Sequence, residues 1–170
     1  MRSVESPFRF LSYKVDEFIF QLADDVDVLF ADQINQEDWQ FKVGFRQPQY
    51  FVDRKFYVGG FAIDMRVLYS VIDKSKKEEE TAEEELINLH AAIGGIFQCE
   101  EGKLETEIEN RLVKNHIPAI LMPYLRSTIS SFLANAGYGS IILPLININA
   151  LAEEAMKDID ILKIEKKAKK

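Results

Sequence analysis

Residues 116–137 read HIPAILMPYLRSTISSFLANAG, and the rest of the architecture can be worked out from this stretch. Between Ile117 and Ala136 its apolar side chains recur at positions i, i+3, i+4 and i+7, which predicts a long amphipathic helix. Pro118 suits the first helical position, whereas Pro123 removes a backbone hydrogen bond and should kink the helix. Gly137 ends it. Such a broad apolar stripe indicates a helix that covers a sheet.

Four strands are predicted ahead of this helix. The segment from Phe8 to Phe20 is rich in β-favouring residues and lacks Gly and Pro. A period of two over residues 39–46 predicts a strand with one buried face, followed by a turn at Pro48. Its buried face would carry Trp39, Phe41, Val43 and Phe45. A longer alternation over residues 61–71 and the segment from Leu86 to Cys99 are the third and fourth strands.

Glycines and connections complete the pattern. Gly59 and Gly60 predict a bulge or a close backbone approach in the third strand, and Gly94 and Gly95 predict close packing on the fourth. The acidic segment 24–38 is long for a connection, which favours a crossover loop. Residues 73–85 hold almost nothing apolar and predict a charged, mobile hairpin loop.

The chain after the long helix predicts a second one. The loop from Tyr138 to Asn149 is unusually apolar, and Asn149 could cap a last helix with Leu151 and Leu162 on its apolar side. Residues 163–170 form a basic, solvated tail. The predicted fold class is therefore α+β: a four-stranded antiparallel sheet covered by a long helix, with a second C-terminal helix, in one domain over residues 1–170.

The composition and net charge of the chain exclude some classes of function. The chain has 170 residues, 47% hydrophobic and 29% charged, which is typical of a soluble globular domain. No membrane span or signal peptide is predicted, and Cys99 is the one cysteine, so a cytoplasmic location is expected. A net charge of −7 counts against nucleic-acid binding, which depends on neutralising phosphates. No direct insertion into membranes is expected.

The chemistry-bearing residues are few. His90 and His116 are the two histidines, His90 has no Cys, Asp or Glu at ligand spacing, and no phosphate-binding glycine motif occurs. We therefore predict no catalytic residue, no metal site and no cofactor. Apolar and aromatic residues are instead in excess, and one helix cannot cover both faces of a sheet. This predicts burial by a second copy of the chain, with any open aromatic groove left for extended apolar peptide.

Four segments resemble the SecB protein-export chaperones. These are EDWQ (residues 37–40), GGIF (residues 94–97), the helical stretch of residues 116–137, and LPLININAL (residues 143–151). The most specific piece is PAILMPY, residues 118–124, because two prolines five residues apart are rarely tolerated inside a helix. The predicted order of four strands and two helices is also that of the family.

The resemblance implies a homotetramer, built as a dimer of dimers with the long helices between two sheets. It implies an ATP-independent holdase that keeps unfolded precursor proteins competent for Sec-dependent export and passes them to the SecA ATPase. The client groove would lie between the crossover loop, the helix-connecting loop and the last helix. The residues implied to line it are Trp39, Tyr124, Tyr138, Ile142, Leu145 and Leu151.

The sequence departs from the family pattern at the SecA-docking positions. Asp16 matches an acidic docking residue on the first strand, but Asn88 and His90 stand where docking members present a leucine and an acidic residue. The basic tail also replaces an acidic one. An alternative role therefore stays open, that of relatives which guard an aggregation-prone antitoxin without a SecA handover. Two other classes stay open: a subunit with one folded partner, and a small-molecule enzyme or binder.

Overall fold

The computed structural model describes residues 6–23, 38–72, 81–138 and 143–165. Four long strands come first and a short fifth strand comes last. They are β1 (Phe8–Leu22), β2 (Trp39–Phe51), β3 (Phe56–Ile72), β4 (Thr81–Cys99) and β5 (Leu162–Ile164). Between β4 and β5 lie α1 (Thr106–Arg111), a π-helical turn (Leu112–His116), α2 (Ile117–Asn135) and α3 (Ile148–Ala155). No helix in these ranges is long and apolar enough to cross a membrane.

The strands form one sheet in the order β1-β4-β3-β2-β5. The four long strands are antiparallel to their neighbours, and β5 runs parallel to the end of β2. The sheet is therefore mixed and five-stranded, where the sequence predicted four antiparallel strands. Leu162, which its spacing assigned to the last helix, instead pairs with Gln49. A three-residue strand is too short to leave a periodic signal in the sequence.

The core lies between α2 and one face of the sheet, which we call the inner face. Alternate residues of β3 and β4 point to it, as the alternation over residues 61–71 predicted for β3, and α2 lays its apolar stripe over them. The buried side chains of this contact include Phe61, Ile63, Met65, Leu89, Ile93, Leu121, Leu125, Ile129 and Leu133. The architecture is α+β, with one long and one shorter helix beside a sheet.

The long helix begins earlier than predicted. α1 and the π-helical turn run directly into α2, so the helical course starts at Thr106. The wider turn immediately precedes Pro118, whose ring would clash with the carbonyl of residue 114 in a regular α-helix. Pro123 lies inside α2, and Gly137, at a φ of 94°, follows its end. There Tyr138 N donates to Leu133 O at 2.7 Å, which closes the helix.

Several predicted boundaries were wrong. Pro48 lies within β2, beside a register shift, and the chain turns instead over residues 52–55, where Lys55 has a φ of 55°. Residues 81–85 of the predicted charged loop belong to β4. Asn147, not Asn149, caps α3, since its side chain accepts from Ala150 N at 3.2 Å.

Parts of three other predicted segments lie outside the described residues. These are residues 24–37 of the crossover loop, 73–80 of the charged loop and 166–170 of the basic tail. The tail begins within β5, because Lys163 and Ile164 are paired with β2.

A pair of glycines lets α2 approach the sheet. Gly59 on β3 and Gly95 on β4 are direct cross-strand partners. A Cβ atom at Gly59 would lie 3.0 Å from the Ile117 side chain, and one at Gly95 would lie 2.8 Å from Leu121. The expected close approach is therefore confirmed, and the first turns of α2 are what approaches.

A second glycine pair, Gly60 and Gly94, lies next to the first and faces the other way. A Cβ atom at Gly60 would stand 2.2 Å from the backbone oxygen of Ile93, a distance that no flexible side chain can relieve. Gly44 on β2 offers the contrast, because nothing lies within 4 Å of a Cβ atom built there.

We therefore expect Gly60→Ala to lower the free energy of unfolding by about 1–3 kcal/mol or more, the usual range for overpacking. Gly44→Ala should change it by less than about 1 kcal/mol, in the stabilising direction, because alanine restricts the unfolded chain. Urea unfolding of both variants at one protein concentration measures the difference. Equal stabilities would contradict the close approach at Gly60.

Candidate functional site

The outer face of the sheet is mostly polar. Asp16 on β1 and Arg46 on β2 form an ion pair of 2.7 Å across the two intervening strands. Their side chains lie over Gly94, where a Cβ atom would come within 3.0 Å of Asp16 and 3.1 Å of Arg46. Nearby, His90 Nδ1 lies 2.6 Å from Asp64 Oδ1. A face of this kind tolerates water, so the expectation that the sheet needs covering on both faces was wrong.

The three residues proposed for partner docking, Asp16, Asn88 and His90, all lie on this outer face along β1 and β4. Asp16 is engaged by Arg46, and Asn88 Nδ2 donates to Glu85 Oε2 at 3.4 Å. A recess of about 360 Å³ opens beside them. Its lining comprises Gln40, Phe41, Lys42, Asp64, Met65, Arg66, Glu85 and Asn88, and neither histidine belongs to it.

The inner face carries an open apolar groove at its β2 side. We call it the α3 groove; its volume is about 370 Å³. It is lined by Phe41, Val43, Phe45, Leu151, Glu154 and Ala155. Phe41 is on the predicted apolar side of β2, yet 44% of it is exposed, because α2 packs over β3 and β4 and α3 leaves a groove open beside the strand.

Trp39 lies at the start of β2 on the same face. The residue is 5% exposed, and its indole Nε1 has no hydrogen-bond partner among the described residues. Buried indole N–H groups are normally hydrogen-bonded. By its burial Trp39 belongs to the core. Its indole N–H, at the start of β2, has no hydrogen-bond acceptor among the described residues.

The opposite, β1 side of α2 carries a row of aromatic rings. Tyr124 lies 4.5 Å from Tyr13 and 5.4 Å from Phe10 between ring centroids, and Phe132 lies 4.7 Å from Phe18. Phe20 bridges the row to Tyr138 at 5.8 Å. Such pairs contribute about 0.5–1.5 kcal/mol each beyond the area they bury. These rings hold α2 to β1.

Comparison with known proteins identifies the family to which a chain with this fold belongs. The model of a family described as preprotein translocase subunit SecB matches residues 41–158, which span β2 to α3. The chain belongs to the SecB family. Members of this family are chaperones and not enzymes. No curated protein sequence matches the chain.

A solved structure supports the same SecB-like fold. A SecB-like chaperone from Mycobacterium tuberculosis, in complex with a peptide from an antitoxin, aligns with a TM-score of 0.53 and 8% identity. The alignment covers 82% of this chain and 90% of that one. At this identity the likeness shows the fold and not the ligand.

The six groove residues expected from the SecB resemblance do not form one cluster. Leu151 lines the α3 groove, and Trp39 is buried at the same side of the sheet. Tyr124 and Tyr138 belong to the aromatic row on the β1 side. Leu145 is 83% exposed in the segment before α3. Ile142 lies outside the described residues.

The residue that holds this segment was not predicted from the sequence. Arg126, on α2, donates from Nη2 to Leu143 O at 2.7 Å and from Nη1 to Pro144 O at 3.3 Å. Leu143 is buried where the segment is held, and the Leu145 side chain is exposed to solvent. The sequence indicated this role only through a single charged residue, Arg126, in a helix of otherwise uncharged residues. Its acceptors are two backbone carbonyls, which no residue type in the sequence identifies.

Two further ionisable side chains, Cys99 and Tyr57, lie near Glu109 and line neither the recess nor the α3 groove. Burial, and next the neighbouring Glu109 carboxylate, raises the pKa of the Cys99 thiol to about 11, so the thiol stays protonated near neutral pH. Burial and a 2.6 Å hydrogen bond to Glu109 raise the pKa of Tyr57 above its usual value. His116 is exposed at the end of the π-helical turn. Neither histidine lines the recess or the α3 groove, so neither supports a small-molecule site there.

Replacing Arg126 should loosen the segment before α3. Arg126→Ala removes two hydrogen bonds to a charged donor, each worth about 1.5–3 kcal/mol. We expect the backbone amides of Ile148, Ala150 and Leu151, which donate to Ile146 and Asn147 at the end of this segment, to exchange with deuterium at least about tenfold faster. Arg111→Ala, at an exposed arginine on α1, is the matched control and should leave those amides unchanged. Equal exchange in both variants would show that Arg126 does not hold the segment.

Proposed function

We propose that this protein is an ATP-independent holdase that binds unfolded precursor proteins and keeps them competent for Sec-dependent export. The observation that carries the proposal is the open apolar surface on the inner face of a SecB-family chain. Phe41 in the α3 groove and Leu145 in the segment before α3 are exposed at 44% and 83%. Both are large aliphatic or aromatic side chains, which the unfolded segments of other proteins can bury.

The free energies of client binding are compatible with holding a client without ATP hydrolysis. Burying two aromatic client side chains of about 150–250 Å² each contributes roughly 8–12 kcal/mol at about 25 cal/mol per Å². Association entropy and the ordering of an unfolded chain oppose this by about 4–15 kcal/mol. The affinity of one site is then modest, and several sites on one oligomer raise it through effective concentration.

Holdase activity is tested by following the aggregation of a chemically unfolded precursor at a one-to-one ratio without ATP. We expect suppression by the unmodified protein and a loss of client affinity of about tenfold or more in Leu145→Asp. The reason is that burying a leucine contributes about 1.5–3 kcal/mol. Binding of a fluorescently labelled precursor measures the affinity.

Ile108→Asp is the matched control, because Ile108 is an exposed aliphatic residue on α1, away from the groove. It should bind the client like the unmodified protein. Failure of the unmodified protein to suppress aggregation would refute the proposal. Equal loss in both variants would instead remove Leu145 from the client surface.

A second candidate function is favoured by the residues at the SecA-docking positions on the outer face. Asn88 and His90 stand where SecA-docking members carry a leucine and an acidic residue, and Asp16 is already paired with Arg46. The alternative is a SecB-like chaperone that guards an antitoxin or another dedicated partner without a SecA handover. The solved neighbour holds an antitoxin peptide, which supports this reading by analogy alone. Capture of one partner, against many unrelated unfolded chains, separates the two.

We further propose that the chain assembles with itself in the cytoplasm. β1 is the edge strand of the sheet, and no strand in the described ranges pairs with its outward side. It also exposes Leu11 and Tyr13 near its start. A long edge with apolar side chains is a template for pairing with another chain. Pairing of two β1 edges, followed by packing of two such dimers, would give the homotetramer.

Static light scattering tests the assembly. We expect a mass close to four times the 19.6 kDa of one chain at micromolar concentration. Leu11→Lys should lower the mass, because a charge on an edge strand opposes strand pairing. A monomer of the unmodified protein would refute the tetramer and leave the single-chain groove intact.

A further inference from the structure

A bulge in β1 places two neighbouring carboxylates on the outer face of the sheet. The pairing of β1 with β4 shifts register between Val15 and Glu17, which makes Asp16 the extra residue. Successive side chains of a regular strand point to opposite faces, and a bulge re-aims one of them. Asp16 therefore pairs with Arg46, while Glu17, the next residue in the chain, reaches His90 on the same face.

His90 on β4 lies between carboxylates from two other strands. Its Nδ1 is 2.6 Å from Asp64 Oδ1 on β3, and its Nε2 is 3.6 Å from Glu17 Oε2 on β1. An ionised carboxylate only accepts hydrogen bonds, so the short contact places the proton of the neutral ring on Nδ1. Nε2 then carries the free lone pair and faces an oxygen that also carries lone pairs. Two such acceptors attract a cation between them.

The distance between these two acceptors indicates the kind of cation. At 3.6 Å, Nε2 and Oε2 lie too far apart to share a proton, since N–H···O hydrogen bonds span about 2.7–3.2 Å. Zinc binds nitrogen and carboxylate oxygen at about 2.0–2.2 Å, so two ligands on a tetrahedral ion are about 3.4 Å apart. The observed separation therefore fits an ion bound to both. Imidazole with carboxylate suits zinc, whereas magnesium prefers oxygen ligands alone.

We propose that His90 Nε2 and the Glu17 carboxylate bind a divalent ion such as Zn²⁺ on the outer face, and that Asp64 positions the His90 ring. A carboxylate that accepts from the second ring nitrogen of a metal-binding histidine is a recurrent part of such sites, because it fixes the tautomer and the ring orientation. No three His, Cys, Asp or Glu side chains of the described residues could together hold an ion. The site therefore has two protein ligands and keeps water at its other positions.

The three residues come from three neighbouring strands, which is why the sequence predicted no metal site. The side chains of His90 and Glu17 are 27% and 55% exposed, so an ion can enter from solvent. Once bound, it would tie the edge strand β1 to β4 beside the bulge. The site lies on the face opposite the α3 groove, so this inference goes beyond the proposed client binding and does not depend on it.

Calorimetric titration of zinc chloride into the untagged, full-length protein tests the site. We expect saturable binding that becomes at least about tenfold weaker in His90→Gln and in Glu17→Gln, because each variant loses one of the two protein ligands. His116→Gln, at the exposed histidine of the π-helical turn, is the matched control and should bind zinc like the unmodified protein. Unchanged affinity in His90→Gln, or an equal loss in His116→Gln, would overturn the proposal.

Nitrogen NMR of the two histidine rings tests the site in the unmodified protein, where no variant has to fold. We expect zinc to shift the Nε2 signal of His90 and to leave the ring of His116 unchanged. No zinc-dependent shift at His90 Nε2 would refute the site.

The same spectra test the positioning role of Asp64. Asp64→Asn should weaken zinc binding by about 10–100-fold. In the metal-free protein it should also move the His90 ring toward the tautomer protonated on Nε2, a change that a merely structural role would not produce. If neither the zinc affinity nor the tautomer changes, Asp64 does not position the ring.

Discussion

The close seating of α2 on Gly59 and Gly95 is the contact from which the rest of the structure follows. With no Cβ atoms there, Ile117 and Leu121 reach the backbone of β3 and β4, and α2 becomes fixed over the middle of the sheet. A helix with its side chains is about 10 Å wide, whereas four strands at about 4.8 Å spacing are nearly twice that. Both margins of the inner face therefore remain outside the cover of α2.

The two margins are completed differently. On the β1 side, aromatic rings from the strand contact Tyr124 and Phe132 and cover part of the margin, while Tyr13 and Phe132 themselves stay partly exposed. On the β2 side, α3 stands opposite Phe41 and leaves an open groove. The outer face needs no cover, because the Asp16–Arg46 pair and the His90–Asp64 contact suit it to water. The open apolar surface of the chain is thus concentrated at its edges and not spread over a second face.

This arrangement gives the proposed activities separate places. β1 offers a long edge for a second copy, and the α3 groove on the opposite side of the sheet offers an apolar surface for a client. A chain that used one edge for both would lose client sites as it assembled. The polar outer face, where Asp16, Asn88 and His90 lie, stays available to a folded partner in either case.

Local composition and periodicity were enough to predict the four long strands, the stripe of α2 and the end of that helix at Gly137, because each depends on neighbours a few residues apart. It also placed Trp39, Phe41, Val43 and Phe45 on one side of β2. It could not tell that Trp39 is buried while Phe41 is open, since that depends on how far α2 and α3 reach across the sheet. Pro48 within a strand and Asn147 as the cap were missed for a similar reason, as neighbouring residues offered an equally good local signal.

The order of the strands, the pairing of β5 with β2, and the Arg126 anchor were decided by tertiary structure alone. Each joins groups distant along the chain, and two of the three are made through the backbone, which carries the same donors and acceptors at almost every residue. Apolar periodicity records which side of an element is buried, and this is why the elements could be predicted. Backbone partners leave no such record, so the edge that remains open becomes visible only once the chain is folded.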